Sequence, residues 1–156
     1  MKEQIAILPK LPIVGQLELV SLDGESLIRI KVVHNQKIRG MNLFFEHCYK
    51  EFEQFLSGQK TKISIATHLG DLTPFQIAVM KEIKKIPFGK TKSYKEIALG
   101  LNSKAYQAIG SSCGNNPLLL IYPCHRVVGL KNLGGFAYGI EMKKELLLNE
   151  GVPLNF

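Results

Sequence analysis

The sequence predicts an α+β fold, with a small β-sheet and one helix in its first seventy or so residues and a helical C-terminal half. Three observations carry this. Alternating apolar residues flank Asp23-Gly24, a strong turn signal. Apolar residues recur at helical spacing over Leu43 to Leu56. Three closely spaced helix starts then follow between Thr73 and Ser103, each with its own capping chemistry. The boundary between the two subdomains falls near residue 71, giving domains of 1–71 and 72–156.

Residues Gly15 to Val33 read as a β-hairpin. Leu17, Leu19 and Ser21 alternate on one side of the turn, and Leu27, Ile28, Ile30 and Val32 follow it. The helix over Leu43 to Leu56 brings Phe44, Cys48, Phe52 and Phe55 roughly to one face, so Cys48 reads as a small buried hydrophobe and its neighbour His47 as a surface residue. Ser57-Gly58-Gln59-Lys60 ends that helix. A short strand, Ile63-Ser64-Ile65, and a polar stretch to Asp71 follow.

In the second half, Thr73 is an N-cap, Pro74 takes the first helical position and Gln76 completes a capping box. Phe75, Val79 and Ile83 give that helix an apolar face, and Pro87-Phe88-Gly89 stops it. Ser93-Tyr94-Lys95-Glu96 is a second capping box, opening a helix through about Leu101. Asn102-Ser103 caps a third, from about Lys104 to Cys113, ended by Gly114-Asn115-Asn116-Pro117. Two short helices joined by a tight turn resemble a helix-turn-helix, although helical hairpins in plain cores have the same spacing. Leu118 to Tyr122 is an apolar run too short for a helix and reads as a buried strand leading to Pro123-Cys124-His125-Arg126-Val127-Val128-Gly129. After the glycine-rich loop Gly134 to Gly139, a last helix spans about Ile140 to Asn149, with Met142, Leu146 and Leu147 inward and Gly151 as its stop.

Composition narrows the function classes. No run of 18 apolar residues exists and the N-terminus lacks a signal-peptide pattern, so neither a membrane partner nor export is expected, and the cytoplasm is the expected compartment. A formal charge of +7 suits a polyanion, nucleic acid first and an acidic membrane surface second. Three widely spaced cysteines, Cys48, Cys113 and Cys124, argue against a disulfide framework. His34, His47, His68 and His125 form no zinc-ligand spacing with them, so no metal and no cofactor is expected.

Cys124 stands out by its context. Pro123 fixes φ and removes a donor, which holds the cysteine rigidly. His125 and Arg126 raise the local positive potential, which favours thiolate. The downstream glycines can bring backbone amides close to a ligand. These residues alone leave two readings open, a nucleophile and a buried inert thiol.

Pro123-Cys124-His125-Arg126-Val127-Val128 resembles the signature of the methylated-DNA–protein-cysteine methyltransferases, the alkylguanine-DNA alkyltransferases. The resemblance runs from about Thr73 to Gly151. It includes the Pro-Phe-Gly turn at 87–89, Ser93-Tyr94, Gly114 to Pro117 and the ending Asn149-Glu150-Gly151. The N-terminal half matches in outline only, as a small ribonuclease-H-like sheet with a helix. The resemblance implies that Cys124 takes an alkyl group from guanine O6 in double-stranded DNA and keeps it. It implies that His125 relays the thiol proton through a water, that Glu150 orients His125, and that Tyr94 serves guanine N3. Asn116 would tie the helix-turn-helix to the active-site strand. The Ala137 amide would approach O6, the Cys124 and Val127 carbonyls would accept from the exocyclic amine, Gly135 would belong to the substrate loop, and Tyr138 would narrow the pocket.

The family docks the second helix of its helix-turn-helix in the minor groove and rotates the target nucleotide out. Here that helix would present Tyr106, Gln107, Ala108 and Gly110 to DNA, with Arg126 among the DNA-facing cations. Many relatives carry an arginine where this chain has Gln107, which implies weaker flipping or altered substrate preference, not loss of reaction. A monomer is expected. The main alternative is a non-catalytic sensor of alkylated DNA; proteins of that kind replace the nucleophile, usually with tryptophan, whereas this chain has Cys124 and no tryptophan. A helix-turn-helix regulator and a cysteine hydrolase are further alternatives.

Overall fold

The computed structural model describes residues 2–155 and divides after Gly70 into two units. In the first, three antiparallel strands, β1 (Gln4–Ile7), β2 (Gln16–Ser21) and β3 (Arg29–Val33), pair in the order β1-β2-β3. The sequence shows only the β2–β3 half of this sheet. β1 is a four-residue segment, too short for its alternation to register, and it reaches β2 across a loop rather than a tight turn. The central strand is the most buried: Leu17, Leu19 and Val20 are fully enclosed.

Asp23-Gly24 is not a two-residue hairpin turn. It opens a longer connection that the Asp23 carboxylate organises by accepting from the amides of Glu25 and Ser26 and from the Ser26 hydroxyl. The backbone of Leu27 then pairs with the 66–68 segment through Leu27 N–H to Ala66 and His68 N–H to Leu27. That pairing replaces the strand expected at Ile63 to Ile65, which has no ladder.

α1 (Leu43–Leu56) starts at Asn42, whose side chain accepts from the Phe45 amide. Its buried stripe is rotated from the predicted one, with Phe45 rather than Phe44 joining Cys48, Phe52 and Phe55. Cys48 is fully buried and its thiol is pushed up to about 12 by burial, so it is an apolar filler. His47 is exposed, with Nε2 3.0 Å from the Ser64 carbonyl.

The second unit holds α2 (Pro74–Lys84), α3 (Tyr94–Gly100), α4 (Tyr106–Gly114) and α5 (Ile140–Asn149), with the two-residue strands β4 (Lys92–Ser93) and β5 (Val127–Val128) paired in parallel. Both predicted capping boxes form, Thr73 with Gln76 and Ser93 with Glu96. The third start is displaced. Asn102 takes a left-handed φ of 51°, the Ser103 hydroxyl accepts from the Ala105 amide, and α4 begins at Tyr106 with no side-chain cap. With five α-helices and a small antiparallel sheet among the described residues, the chain is α+β. No described helix is long and apolar enough to cross a membrane.

Leu118 to Tyr122 is the main correction. The segment is buried as expected but is not a strand: Tyr122 N–H donates to the Leu118 carbonyl at 3.1 Å, and Leu120 has φ 74°. Pro117 and Pro123 bracket it and supply no amide donors, so the run coils on itself. An apolar run identifies burial, not backbone geometry.

Candidate active site

Three local devices converge on Cys124. The first is the turn that carries it. Cys124–Arg126 is a single 3₁₀ turn, held by Cys124 N–H to Tyr122 O (2.8 Å) and Arg126 N–H to Pro123 O (2.9 Å). Successive side chains on such a turn project about 120° apart, not to opposite faces as on a strand. Cys124 and His125 therefore point to different surroundings while sharing one rigid turn.

The second device is Asn116, at the end of α4. Its Nδ2 donates to the Tyr122 carbonyl at 2.7 Å and to the Cys124 sulfur at 3.1 Å, and its Oδ1 accepts from the Leu118 amide at 2.9 Å. Both ends of one amide thus pin the coiled 118–122 segment while an N–H is aimed at the sulfur.

The third is the end of α5. Gly151, with φ 76°, closes a Schellman motif: Val152 N–H reaches Leu147 O (3.0 Å) and Gly151 N–H reaches Leu148 O (2.9 Å). Val152 and Leu147 pack together on Val128, two residues beyond the 3₁₀ turn. This closure fixes Glu150, the cap residue, beside His125.

The Glu150 carboxylate is buried and fully partnered. It accepts from His125 Nε2 (2.6 Å), from Arg126 Nε at both oxygens (2.8 and 3.1 Å), and from the Gly89 amide (2.9 Å). Burial alone would raise this carboxyl, but the hydrogen bonds from His125 and Arg126 hold it below its usual range. It is an anion, and the Pro-Phe-Gly turn at 87–89 contributes one of its donors.

Arg126, expected among the DNA-facing cations, is buried in this cluster, and its Nη1 donates to the Ile86 carbonyl at 2.8 Å. A guanidinium committed to a buried carboxylate has no fork left for phosphate.

His125 is completely enclosed. Burial pulls its pKa down, outweighing the opposing pull of Glu150, so the ring is neutral at pH 7. With Nε2 against an anionic oxygen at 2.6 Å, the proton is assigned to Nε2 and Nδ1 is the acceptor. Nδ1 has no hydrogen-bond partner among the described residues. It is a base with its lone pair unspent.

The sulfur is 7% exposed by residue and opens on a cavity of about 260 Å³, lined by Tyr94, Gly110, Cys113, Gly114, Cys124, Gly135, Phe136 and Ala137. Burial pushes the Cys124 thiol up, opposed first by the Asn116 hydrogen bond and then by the Lys143 charge. The Tyr94 hydroxyl is also raised, chiefly by burial, and stays protonated at neutral pH.

Of the residues singled out from sequence, Cys124, Tyr94, Gly110, Gly135 and Ala137 share this cavity. Asn116, His125 and Glu150 stand behind it. Val127 does not line it, and the Val127 carbonyl already accepts from Lys143. Tyr138 does not line it either; its ring packs edge-on against Phe136 at 6.0 Å, and Phe136 forms the wall. Tyr106, Gln107 and Ala108 lie exposed on the first turn of α4.

Four contributors escape the sequence reading, Phe136 among them, which takes the wall position expected of Tyr138. Cys113 and Gly114 extend the Gly110 face of α4 at i+3 and i+4, a spacing that was available as a signal. Lys143 gave none, because a lysine on an amphipathic helix ordinarily faces water. Here it is fully buried, and its Nζ donates to Val127 O (2.6 Å) and Gly135 O (2.8 Å), tying the glycine-rich loop to β5. Burial lowers it to about 8, against the attraction of Cys124 and Cys113.

The sequence model of the 6-O-methylguanine DNA methyltransferase DNA-binding domain matches residues 74–152, the segment that holds every one of these groups. A probable methylated-DNA–protein-cysteine methyltransferase of Acanthamoeba polyphaga mimivirus is 53% identical over 136 residues, 86% of this chain and 89% of that protein. The chain belongs to the methylated-DNA–protein-cysteine methyltransferase family. Within that family, the methyltransferase of Sulfolobus acidocaldarius is 39% identical over 72% of each chain. The crystal structure of the Mycobacterium tuberculosis O6-methylguanine methyltransferase aligns over 96% of this chain and 93% of its own, with TM-score 0.83 and 29% identity. A structure of the M. tuberculosis protein in complex with DNA aligns over 96% of this chain and 94% of its own, with TM-score 0.79 and 28% identity.

Proposed function

We propose that this methyltransferase-family chain repairs double-stranded DNA by moving an alkyl group from guanine O6 to Cys124, once per molecule. One observation carries the reading. Cys124 and Tyr94 line one cavity, and the residue next to Cys124 on the same 3₁₀ turn is a neutral His125 with a free Nδ1, held by an ionised Glu150.

The step balances as a displacement. The thiol proton passes through a bridging water to His125 Nδ1, and Glu150 stabilises the imidazolium that forms. Asn116 and Lys143 favour the thiolate. Sulfur bonds to the alkyl carbon as the carbon–O6 bond breaks, and the purine leaves with the electron pair. Tyr94, a protonated hydroxyl in the wall, donates toward N3 of the departing guanine. The product thioether has no route back to thiol, so turnover ends there.

The target carbon lies within a duplex, so the nucleotide is rotated out into the cavity. We read α3 and α4 as a helix-turn-helix whose second helix enters the minor groove, with Tyr106, Gln107, Ala108 and Gly110 toward DNA. The N-terminal unit is read as a ribonuclease-H-like support domain, and the molecule acts as a monomer. The match to a DNA-binding domain and the likeness to a protein crystallised with DNA support this arrangement. A non-catalytic sensor is disfavoured by a thiol that opens on the cavity with a base behind it.

The test is a duplex carrying O6-methylguanine, followed by mass measurement of the Cys124 peptide. One added methylene on Cys124, absent in Cys124→Ala, is expected. Tight duplex binding with an unmodified peptide would favour the sensor.

A further inference from the structure

The Cys124 cavity holds a second sulfur that alkyl transfer does not use. Of the three α4 residues on its wall, Gly110 and Gly114 carry no side chain, so Cys113 is the one side chain that α4 brings to the cavity. A Cβ at either glycine would meet nothing within 4 Å, which leaves the wall on both sides of Cys113 open. We propose that Cys113 is a resolving thiol: when a hydroperoxide oxidises the Cys124 sulfur, Cys113 closes a disulfide with it across the cavity, and a dithiol reopens the bond. The disulfide stands on the cavity geometry, and its consequence for repair rests on the alkyl-transfer reading above.

Three observations point to this pair. Both cysteines line one cavity in the second unit, whereas Cys48 is fully buried in the first. One residue spans them: the Asn116 amide donates to the Cys113 carbonyl at 3.3 Å while its Nδ2 donates to the Cys124 sulfur at 3.1 Å, so the turn that ends α4 holds the two cysteines in a fixed relation. Finally, burial raises both thiols, but the Lys143 ammonium opposes it in each, and the charge of Cys124 is felt at Cys113. One cation therefore favours both thiolates.

The chemistry extends what the site already does. The His125 relay that frees the Cys124 sulfur to attack carbon also frees it to attack a peroxide oxygen. An S–O bond forms, the O–O bond breaks, an alcohol or water leaves with the thiol proton, and sulfur gives two electrons to the peroxide. The Cys113 sulfur then attacks the sulfenic sulfur. The S–S bond forms, the S–O bond breaks, and hydroxide leaves with the Cys113 proton as water. Without a partner thiol, the sulfenic acid goes on to sulfinic acid, which thiols do not reverse. A nucleophile that serves once is thus kept in a recoverable form.

The experiment treats the full chain with hydrogen peroxide, unfolds it, blocks the remaining thiols with a haloacetamide and maps peptides without reductant. The expected product is a pair of peptides joined through Cys113 and Cys124, lighter by two hydrogens than the separate thiol peptides, with Cys48 blocked as a free thiol. Alkyl transfer, taken relative to the same variant untreated, is expected to be lost in the parent and recovered with dithiothreitol. In Cys113→Ser and Cys113→Ala the same treatment is expected to leave Cys124 as sulfinic acid, with transfer still lost after dithiothreitol. Sulfinic acid at Cys124 in the parent, a disulfide that uses Cys48 or a second molecule, or recovery with dithiothreitol in both Cys113 variants would each overturn the proposal. Failure of the untreated protein to transfer an alkyl group would instead overturn the repair reading, and the linked peptides would still report on the disulfide.

Discussion

His125 and Glu150 meet through a 2.6 Å hydrogen bond with both side chains removed from water. Glu150 also answers the buried Arg126 guanidinium, so removing its charge leaves that cation uncompensated, which costs about 3–5 kcal/mol. Glu150→Gln keeps the shape and removes the charge. It is expected to slow Cys124 methylation by about 100-fold, the scale of a lost general-base contribution, and to lower the melting temperature. Single-turnover kinetics and calorimetry on the same variant check both.

The same pair sets the acid limit of the fold. Glu150 titrates below its usual value in the folded protein, so its stabilisation is complete above about pH 4.3, the unfolded value, and is lost as pH falls through the folded one. His125 is also depressed, so it too favours the fold above about pH 6.5 and less below it. Melting temperature should therefore fall on acidification from pH 7, and Glu150→Gln should flatten the part below pH 5. A melting temperature independent of pH between 4 and 7 would contradict this.

Lys143 joins two carbonyls of the substrate loop and β5 and places a charge near the sulfur. Lys143→Met preserves the packing of the stem and deletes both effects. Transfer should slow by about tenfold or more, a loss of at least ~1.4 kcal/mol of transition-state stabilisation. The pH at which a small haloacetamide labels Cys124 should also move upward. Labelling at an unchanged pH would assign Lys143 a purely structural part.

Gly134 has φ 72°, and a Cβ there would stand 2.8 Å from the Tyr94 ring and 2.9 Å from its hydroxyl. Gly134→Ala is therefore expected to displace Tyr94 and to reproduce the kinetics of Tyr94→Ala, with slower transfer and nearly unchanged DNA affinity. It also carries a backbone cost of about 1–3 kcal/mol. Competition binding alongside single-turnover rates separates the two effects.

Cys113 shares the cavity with Cys124, but its thiol is pushed up to about 12, mainly by burial and then by Cys124. It is protonated at neutral pH. Cys113→Ser should keep transfer within a few-fold of the parent, and peptide mapping after reaction should find the alkyl group at Cys124 and none at Cys113.

What could be read in the sequence followed from local rules. The two capping boxes and the Gly151 stop depend on residues within one or two turns of each other and formed as read, whereas the α1 stripe formed with Phe45 in place of Phe44. The turn at Leu118 to Tyr122 was hidden, because burial by tertiary neighbours gives the same apolar run as a strand would. Cys124, His125 and Glu150 were visible through a family signature, whereas Lys143 and the inward turn of Arg126 depend on contacts 16 to 40 residues away in sequence. No spacing rule encodes such contacts.

The enclosure of Arg126 reaches beyond the ion pair it makes. It is the single arginine from residue 71 onward, so every cation left at the surface of that unit is a lysine. An ammonium is a near-spherical charge that cannot fork across two acceptors on a base edge, so attraction between this surface and a polyanion is indifferent to sequence and fades steeply with added salt. On the proposed reading, such a surface would grip any stretch of duplex alike and leave discrimination to the interior of a single cavity.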